Sequence, residues 1–487
     1  MPEKTQSSPM FTDFIVEKVV ELSAFDLTGE RAKTKNTSNK AYRVEIQLEK
    51  NGTRAQIFTM WGPVGGHMTS DWRYYEDQAK ARKEFDSIIK SKQKKGYREI
   101  DLAQRAYGSE EAKKITKPVE FKNIDSVAPP ALQSSLHKET QRLINSLLGS
   151  TQSFVTATLK CPLGQLTNKQ IDLGQEKLNE AKEILNNSKK LSSDDKKKIE
   201  SLTNDFYSLI PHNLGSGARG RLDHLLLDDL KKIYTKEDDL NTLLDAKDVV
   251  LISNDIDEKY KSLDADFNYI DHHDPIFKWI EKMVLETRAH NHRWLGKIAV
   301  HNVWGLKRNK EYDIFYNAAK EIVKECGKQV IPDILKQHIK RVDLDEERNS
   351  LYNKANVLPL FHGTRTQNVS GIVKNGLLIR PATAIITGAM YGNAIYMASN
   401  SSKSINYCDI SNSYWAKGNS STGFLFLNDC TLGNQLIAKH SYQYSNQNIK
   451  PNHSVWAKGG ADLVNDEFML YNTDQHNIRY LIEFTST

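Results

Sequence analysis

The sequence predicts a multidomain α+β chain, and three observations carry that prediction. Its 487 residues exceed one core, since a domain holds ~150 residues and three or so are therefore expected. Residues 39–50 alternate apolar and polar side chains, which is the period of a strand. Residues 167–251 instead repeat apolar positions at helix spacing.

Composition narrows the class. Hydrophobic residues at 39% and charged residues at 26% give the balance of a soluble globular protein. No apolar run approaches the ~20 residues a membrane helix needs, so no membrane partner is expected. The opening MPEKTQSSPMF has no apolar signal core, which argues against secretion. Cys161, Cys326, Cys408 and Cys430 are too widely spaced for a zinc site and read as reduced thiols, so no metal is expected.

Along the chain, residues 1–38 form an N-terminal segment without a motif. In NKAYRVEIQLEK, Tyr42, Val44, Ile46 and Leu48 share one strand face, and Arg43, Glu45, Gln47 and Glu49 the other. Asn51-Gly52 signals a two-residue hairpin, with AQIFTMWG as the returning strand. Asp77 to Lys92 then places Ala81, Phe85, Ile88 and Ile89 at helix spacing. From Lys80 to Arg98 eight basic residues (Lys80, Arg82, Lys83, Lys90, Lys92, Lys94, Lys95, Arg98) face two acidic ones. Such a run reads as a solvated helix face, or as a phosphate-binding patch with salt-sensitive affinity.

Residues 106–128 read as a linker ending in Ala128-Pro129-Pro130. Beyond it the pattern is helical. Thr167-x-x-Gln170 is a capping box, Ser193 precedes Ile199, Leu202, Phe206 and Leu209, and Thr235 caps a helix carrying Leu240, Leu243, Leu244, Val250 and Leu251. LSSDDKKK and LGSGARGR read as solvated connections.

The last half holds the residues that suit chemistry. FHGTRTQN, the segment around Tyr396, Lys403-Ser404-x-x-Tyr407 and the late Glu467 together suit gripping a nicotinamide-ribose and breaking its glycosidic bond. Loss of nicotinamide leaves an oxocarbenium-like centre, which carboxylates stabilise in glycosidases. Glu467 can hold ribose hydroxyls, favour the developing charge and deprotonate an acceptor hydroxyl. His362 offers a donor to a ribose hydroxyl, and Gly363 lets backbone approach the carboxamide. Tyr396 and Tyr407 suit stacking the ring, and Ser404 the amide. Singly, each has a plainer reading: a turn, a core strand residue, a surface charge.

In this order the residues resemble the catalytic domain of the diphtheria-toxin-like ADP-ribosyltransferases, specifically the poly(ADP-ribose) polymerases, over residues 254–487. The resemblance implies a mixed α/β domain with a split, antiparallel-rich sheet and NAD+ as substrate. It makes His362, Tyr396 and Glu467 the signature triad and assigns Gly363, Ser404 and Tyr407 to nicotinamide. Thr364 and Asn368 fall to the adenosine half, and Lys403 beside the acceptor hydroxyl. WIEKMVLETRAHNH (Trp279–His292) resembles the family's helix-to-strand lead into this domain. Asn393 and Ala394 replace the family's Lys and Gly on the acceptor rim, and Leu378 an Arg near the adenine ribose.

Residues 39–105 resemble the tryptophan-glycine-arginine (WGR) domain, a small β-sheet with a helix, with Pro63 in place of the defining Arg. That implies contact with double-stranded DNA ends or nicks through Trp61, Lys90, Lys92, Lys94, Lys95 and Arg98. Residues 129–253 resemble the all-α regulatory bundle that blocks the NAD cleft, with Leu243, Leu244 and Asp245 as regulatory positions and Asn241 where an Asp is usual. Together these imply a compact, fingerless polymerase, stimulated by DNA breaks, that modifies itself and other proteins in the DNA damage response. A mono-ADP-ribosyltransferase, or a DNA-end scaffold with little catalysis, are the alternatives. Placement would be nuclear in a eukaryote and cytoplasmic in a bacterium.

Overall fold

The computed structural model describes residues 4–28, 38–64, 66–100, 134–158, 168–187, 191–212, 214, 222–246, 255–308, 310–326, 330–379, 390–416 and 418–487. The linker 106–128, the Pro129-Pro130 breaker, Cys161 to Thr167, residues 215–221, Val250 and Leu251 lie outside the described residues. The chain divides into two compact units, 1–132 with 154–240, and 133–153 with 241–487.

The first unit opens with β1 (Lys4–Gln6), β2 (Phe14–Asp26), β3 (Ser38–Glu49), β4 (Ala55–Pro63), β5 (Thr69–Tyr75), helix α1 (Gln78–Lys94) and β6 (Arg98–Ile100). The six strands form one antiparallel sheet in the order β1-β5-β4-β3-β2-β6. Tyr42, Val44, Ile46 and Leu48 do pack against Ala81, Phe85, Ile88 and Ile89 of α1. Asp77 caps α1 by accepting from Lys80 N–H, as a short acidic side chain at an N-cap should.

Three features differ from the sequence reading. The sheet starts before residue 39, because β2 pairs with β3 along Phe14 to Asp26. The turn at Asn51 spans residues 50–54 and is closed by Glu49 N–H donating to Arg54 O, with Asn51 left-handed at φ 60°. The polar face of β3 is also buried. There the Arg43 guanidinium pairs with both Glu21 and Glu45, and Gln47 bonds Glu45 and Gln56, so charge neutralisation replaces solvent.

This unit also holds parts of the bundle: α2 (Lys138–Thr158, from Phe154 onward), α3 (Asn168–Asn187), α4 (Ser193–Leu209) and α5 (Leu230–Ala246, up to Leu240). LSSDDKKK is a helix start and not a connection, since Ser192 and Asp195 make a reciprocal capping box. Thr235 lies inside α5, one turn beyond its first residue, and so does not cap it. The sheet is fastened to α4 directly. Phe25 N–H donates to Ser208 Oγ (2.8 Å), Leu27 N–H to Asn204 Oδ1 (2.8 Å), and Arg98 pairs with Asp205 (2.8 Å).

The second unit contains α6 (Ile256–Ser262), β7 (Ala265–Ile270), α7 (Pro275–Glu286), β8 (Ile298–Arg308), α8 (Glu311–Val323), α9 (Glu346–Lys354), β9 (Val357–Gly363), α10 (Thr366–Asn375), β10 (Ile395–Met397), α11 (Ser401–Ile405), β11 (Thr422–Thr431), β12 (Gln435–Ala438), β13 (Ser454–Ala457), β14 (Glu467–Leu470) and β15 (His476–Ser486). They build a split pair of sheets, β7-β8-β15-β11-β9 and β10-β14-β13-β12, antiparallel except for β12 with β13. The apolar run FLFL (Phe424–Leu427) of β11 is buried on both faces, which suits a central strand.

Candidate active site

The end of β9 is shaped by one missing side chain. A Cβ on Gly363 would lie 1.8 Å from the Ser404 carbonyl oxygen, so only glycine lets the strand end reach α11. Ser404 Oγ donates to Phe361 O (3.1 Å), and Phe361 exchanges two backbone bonds with Ala398 (2.8 and 3.0 Å). These contacts bring His362, Tyr396 and the Lys403–Tyr407 turn together although the chain separates them.

His362 Nδ1 lies 3.1 Å from Tyr396 O. A carbonyl only accepts, so Nδ1 carries the proton, and burial holds the imidazole pKa below its usual value. The neutral ring therefore leaves Nε2 as an acceptor, the opposite of the donor role read from sequence. Tyr396 is pinned at its hydroxyl, which donates to Gly392 O (2.8 Å) and accepts from Tyr391 N–H (3.0 Å). Its pKa and that of Tyr407 are raised, first by burial. Tyr407 is nonetheless 43% exposed, so part of its side chain stays open to solvent.

Glu467 opens β14, whose register sets Met469 opposite Tyr396 on β10. Its Oε1 is 2.9 Å from Lys403 Nζ, and the same ammonium donates to Asn465 O (2.7 Å). Lys403 is thereby a strut for the carboxylate. Its own pKa is lowered by burial, an effect that the Glu467 charge opposes.

Thr364 and Asn368 sit beyond Gly363, where Asn368 Nδ2 donates to Thr364 Oγ1 (3.0 Å). Asn368 Oδ1 accepts from Thr242 Oγ1, on the part of α5 that belongs to this unit. Thr151 of α2 bonds Gln367 O (2.9 Å) and Ser370 Oγ (2.8 Å) alongside. Leu243 is buried and Leu244 half-buried; the Asp245 side chain lies outside the described residues. Leu378 is 52% exposed.

In the first unit, Trp61 stacks on Tyr42 (6.2 Å between rings), and Lys92 Nζ lies 3.7 Å from the Tyr42 ring centre. Lys92 is pushed down to about 8 by burial and then by Lys95, Arg73 and Lys40. Lys90, Lys94 and Lys95 are exposed, whereas Arg98 is engaged with Asp205.

Sequence reading gave no role to Thr242, Thr151 and Ser370 on the α5 side, or to Lys40 and Arg73 beside Lys92; strand pairing and helix docking assemble them. Among the described residues no three or more His, Cys, Asp or Glu side chains cluster as a metal site. None of the described helices is long and apolar enough to cross a membrane.

Fold and cleft together define a domain of the ADP-ribosyltransferase type joined to a helical bundle and a small sheet domain. Family models agree segment by segment. Residues 276–486 match the poly(ADP-ribose) polymerase catalytic domain, 134–273 the poly(ADP-ribose) polymerase regulatory domain, and 25–104 the WGR domain. The chain belongs to the poly(ADP-ribose) polymerase family. It is similar to a poly [ADP-ribose] polymerase of Sarcophaga peregrina (25% identical, over 91% of this chain and 44% of the relative). It also resembles poly [ADP-ribose] polymerase 1 of Gallus gallus (25%, over 92% and 43%) and poly [ADP-ribose] polymerase 2 of Homo sapiens (23%, over 94% and 79%). The chain thus spans less than half the length of the first two.

Proposed function

We propose that this chain is a NAD+-consuming ADP-ribosyltransferase that builds poly(ADP-ribose) on itself and other proteins and is stimulated by double-stranded DNA ends. The observation that carries the reading is the Lys403–Glu467 pair set beside His362, Tyr396 and Tyr407.

The residues fit the substrate. The Tyr407 ring and the Gly363 backbone suit a flat carboxamide-bearing ring, and His362 Nε2 accepts from a ribose hydroxyl. Nicotinamide leaves with the electron pair of the glycosidic bond, and the ribose C1 becomes oxocarbenium-like. The Glu467 carboxylate, held by Lys403, lies where it accepts from a ribose hydroxyl and stabilises that charge. It then takes the proton of the acceptor hydroxyl as the new C1–O bond forms. A Glu here suits chain elongation, because a sugar hydroxyl is a weak nucleophile until a base engages it.

Control follows from the α5 contact. Thr242 occupies Asn368, and a form with α5 loosened would admit the adenosine half of NAD+. DNA need only bind that form better. With Pro63 unable to donate, the β2–α4 bonds and the Arg98–Asp205 pair supply the coupling from sheet to bundle.

The test is nicotinamide release from NAD+ by wild type and Glu467→Gln, with product analysis. Release in wild type with a loss of at least ~10²-fold in the variant supports the reading. Single ADP-ribose units in place of chains would support a mono-transferase, consistent with Asn393 and Ala394 on the acceptor rim. No release under any condition would overturn the enzymatic reading.

A further inference from the structure

Four aromatic side chains stand open to solvent in one contiguous group on the second unit: Trp294 (47% exposed), Tyr414 (56%), Trp415 (52%) and Tyr407 (43%). Ring centres are 5.9 Å apart for Trp294–Tyr414, 4.8 Å for Tyr414–Trp415 and 6.4 Å for Trp415–Tyr407, the last pair nearly parallel. Single exposed aromatics are ordinary, but a contiguous patch marks a binding surface.

The group is also held in place. Trp294 Nε1 donates to Asn406 Oδ1 (2.9 Å), Tyr414 N–H donates to the same oxygen (3.0 Å), and Trp415 N–H donates to Asn406 O (3.1 Å). One buried asparagine therefore holds the Trp294 ring and the backbone that carries Tyr414 and Trp415. A loop ordered in advance loses less freedom when a ligand binds.

Charge narrows the ligand. Exposed Arg293 and Lys297 flank Trp294, and residues 288–297 contain no acidic side chain. Aromatic faces interleaved with cations suit purine bases linked by phosphates. Position narrows it further. His292 packs on Trp294 (5.0 Å) and its Nε2 lies 3.1 Å from Asn465 Nδ2; Asn465 O accepts from Lys403, which holds Glu467. A chain of contacts through His292, Asn465 and Lys403 thus links the patch to the Glu467 carboxylate.

We propose that Trp294, Tyr414 and Trp415, extending from Tyr407, form a stacking platform for an adenine of the ADP-ribose chain being extended, with Arg293 and Lys297 against its pyrophosphate. This rests on the transferase reading and deepens it: the platform keeps the product chain near Glu467 between additions.

The test titrates labelled, protein-free ADP-ribose oligomers into the full chain, Trp415→Ala and Trp294→Ala, reading fluorescence anisotropy. Saturable wild-type binding, at least about fivefold weaker in either variant and weaker at high salt, is expected. Product chains made by Trp415→Ala from NAD+ should be several-fold shorter. Oligodeoxyadenylate of equal length is the second arm. If it alone shows the loss, the platform serves a nucleic-acid strand and the proposal is overturned. Wild-type oligomer binding and chain length in both variants, with unchanged melting temperatures, also overturn it. Should wild type release no nicotinamide, the transferase reading has failed, and the oligomer titration still judges the platform by itself.

Discussion

The Thr242 hydroxyl is hydrogen-bonded to Asn368 Oδ1, and Asn368 in turn donates to Thr364. This part of α5 thus occupies a side chain expected to meet NAD+, and the proposed control is the loosening of that contact. Removing the bond with Thr242→Val should free about 0.5–1.5 kcal/mol. That corresponds to a DNA-free KM for NAD+ roughly two- to tenfold lower. Steady-state kinetics without DNA checks this; an unchanged KM would mean the contact does not restrain access.

Packing of the same helix bears on the proposed control. Leu243 is 5% exposed and Leu244 only half-buried, so the cavity variant with the larger effect is Leu243→Ala. It should cost ~2–5 kcal/mol of local packing and raise the DNA-free rate more than Leu244→Ala does. Hydrogen exchange on 230–246 would show the loosening directly. Equal rates in both variants and wild type, with the fold intact, count against autoinhibition.

Lys403 and Glu467 should fail differently. Glu467→Gln keeps the shape and loses the charge and the base, for a fall in kcat of ~10²–10⁴-fold. Lys403→Met leaves the carboxylate unsupported, and a smaller loss is expected. A Lys403→Met effect equal to that of Glu467→Gln would indicate that the lysine has more than a positioning role.

Glu21 sets a pH dependence in the first unit. One guanidinium, Arg43, serves two buried carboxylates, and desolvation outweighs that pairing, so Glu21 is pushed up to about 8. The folded form therefore binds a proton more tightly than the unfolded chain. Stability is fully present below the usual carboxylate range and falls as pH rises from ~4.5 toward 8. Glu21→Gln should flatten that slope and raise the melting temperature at pH 8. Calorimetry across pH checks it, and identical slopes would show that Glu21 is charged when folded.

DNA contact should be carried by the exposed lysines. Double substitution of Lys94 and Lys95 by Ala is expected to lower the slope of log K against log salt by roughly 1.8, at ~0.9 per phosphate contact. Arg98→Ala should leave that slope nearly unchanged and instead weaken DNA stimulation, because Arg98 faces Asp205. Anisotropy at several salt concentrations separates the two.

The residues that the structure brings together at the candidate site were legible because they sit in short motifs: His362-Gly363, Lys403-Ser404 and Glu467. The α1 helix and its Asp77 cap were equally legible, since period and cap are local. The rest was not. Nothing near Arg43, Glu45 or Gln47 says that a polar strand face is buried, because its partner Glu21 lies on another strand. The role of Thr242 depends on a helix docking against residue 368, and the aromatic platform gathers residues 294 and 407–415 through one asparagine. The cap at Ser192 was hidden because LSSDDKKK, rich in charge, reads as a connection, whereas Ser192 and Asp195 close a reciprocal capping box there.

The most direct measurement is incubation with labelled NAD+, with and without short double-stranded DNA ends, followed by a denaturing gel. The account predicts a high-molecular-weight smear that requires DNA in wild type, appears without DNA in Leu243→Ala, and vanishes in Glu467→Gln. No label under any condition, or label that is indifferent to both DNA and Leu243→Ala, would contradict it.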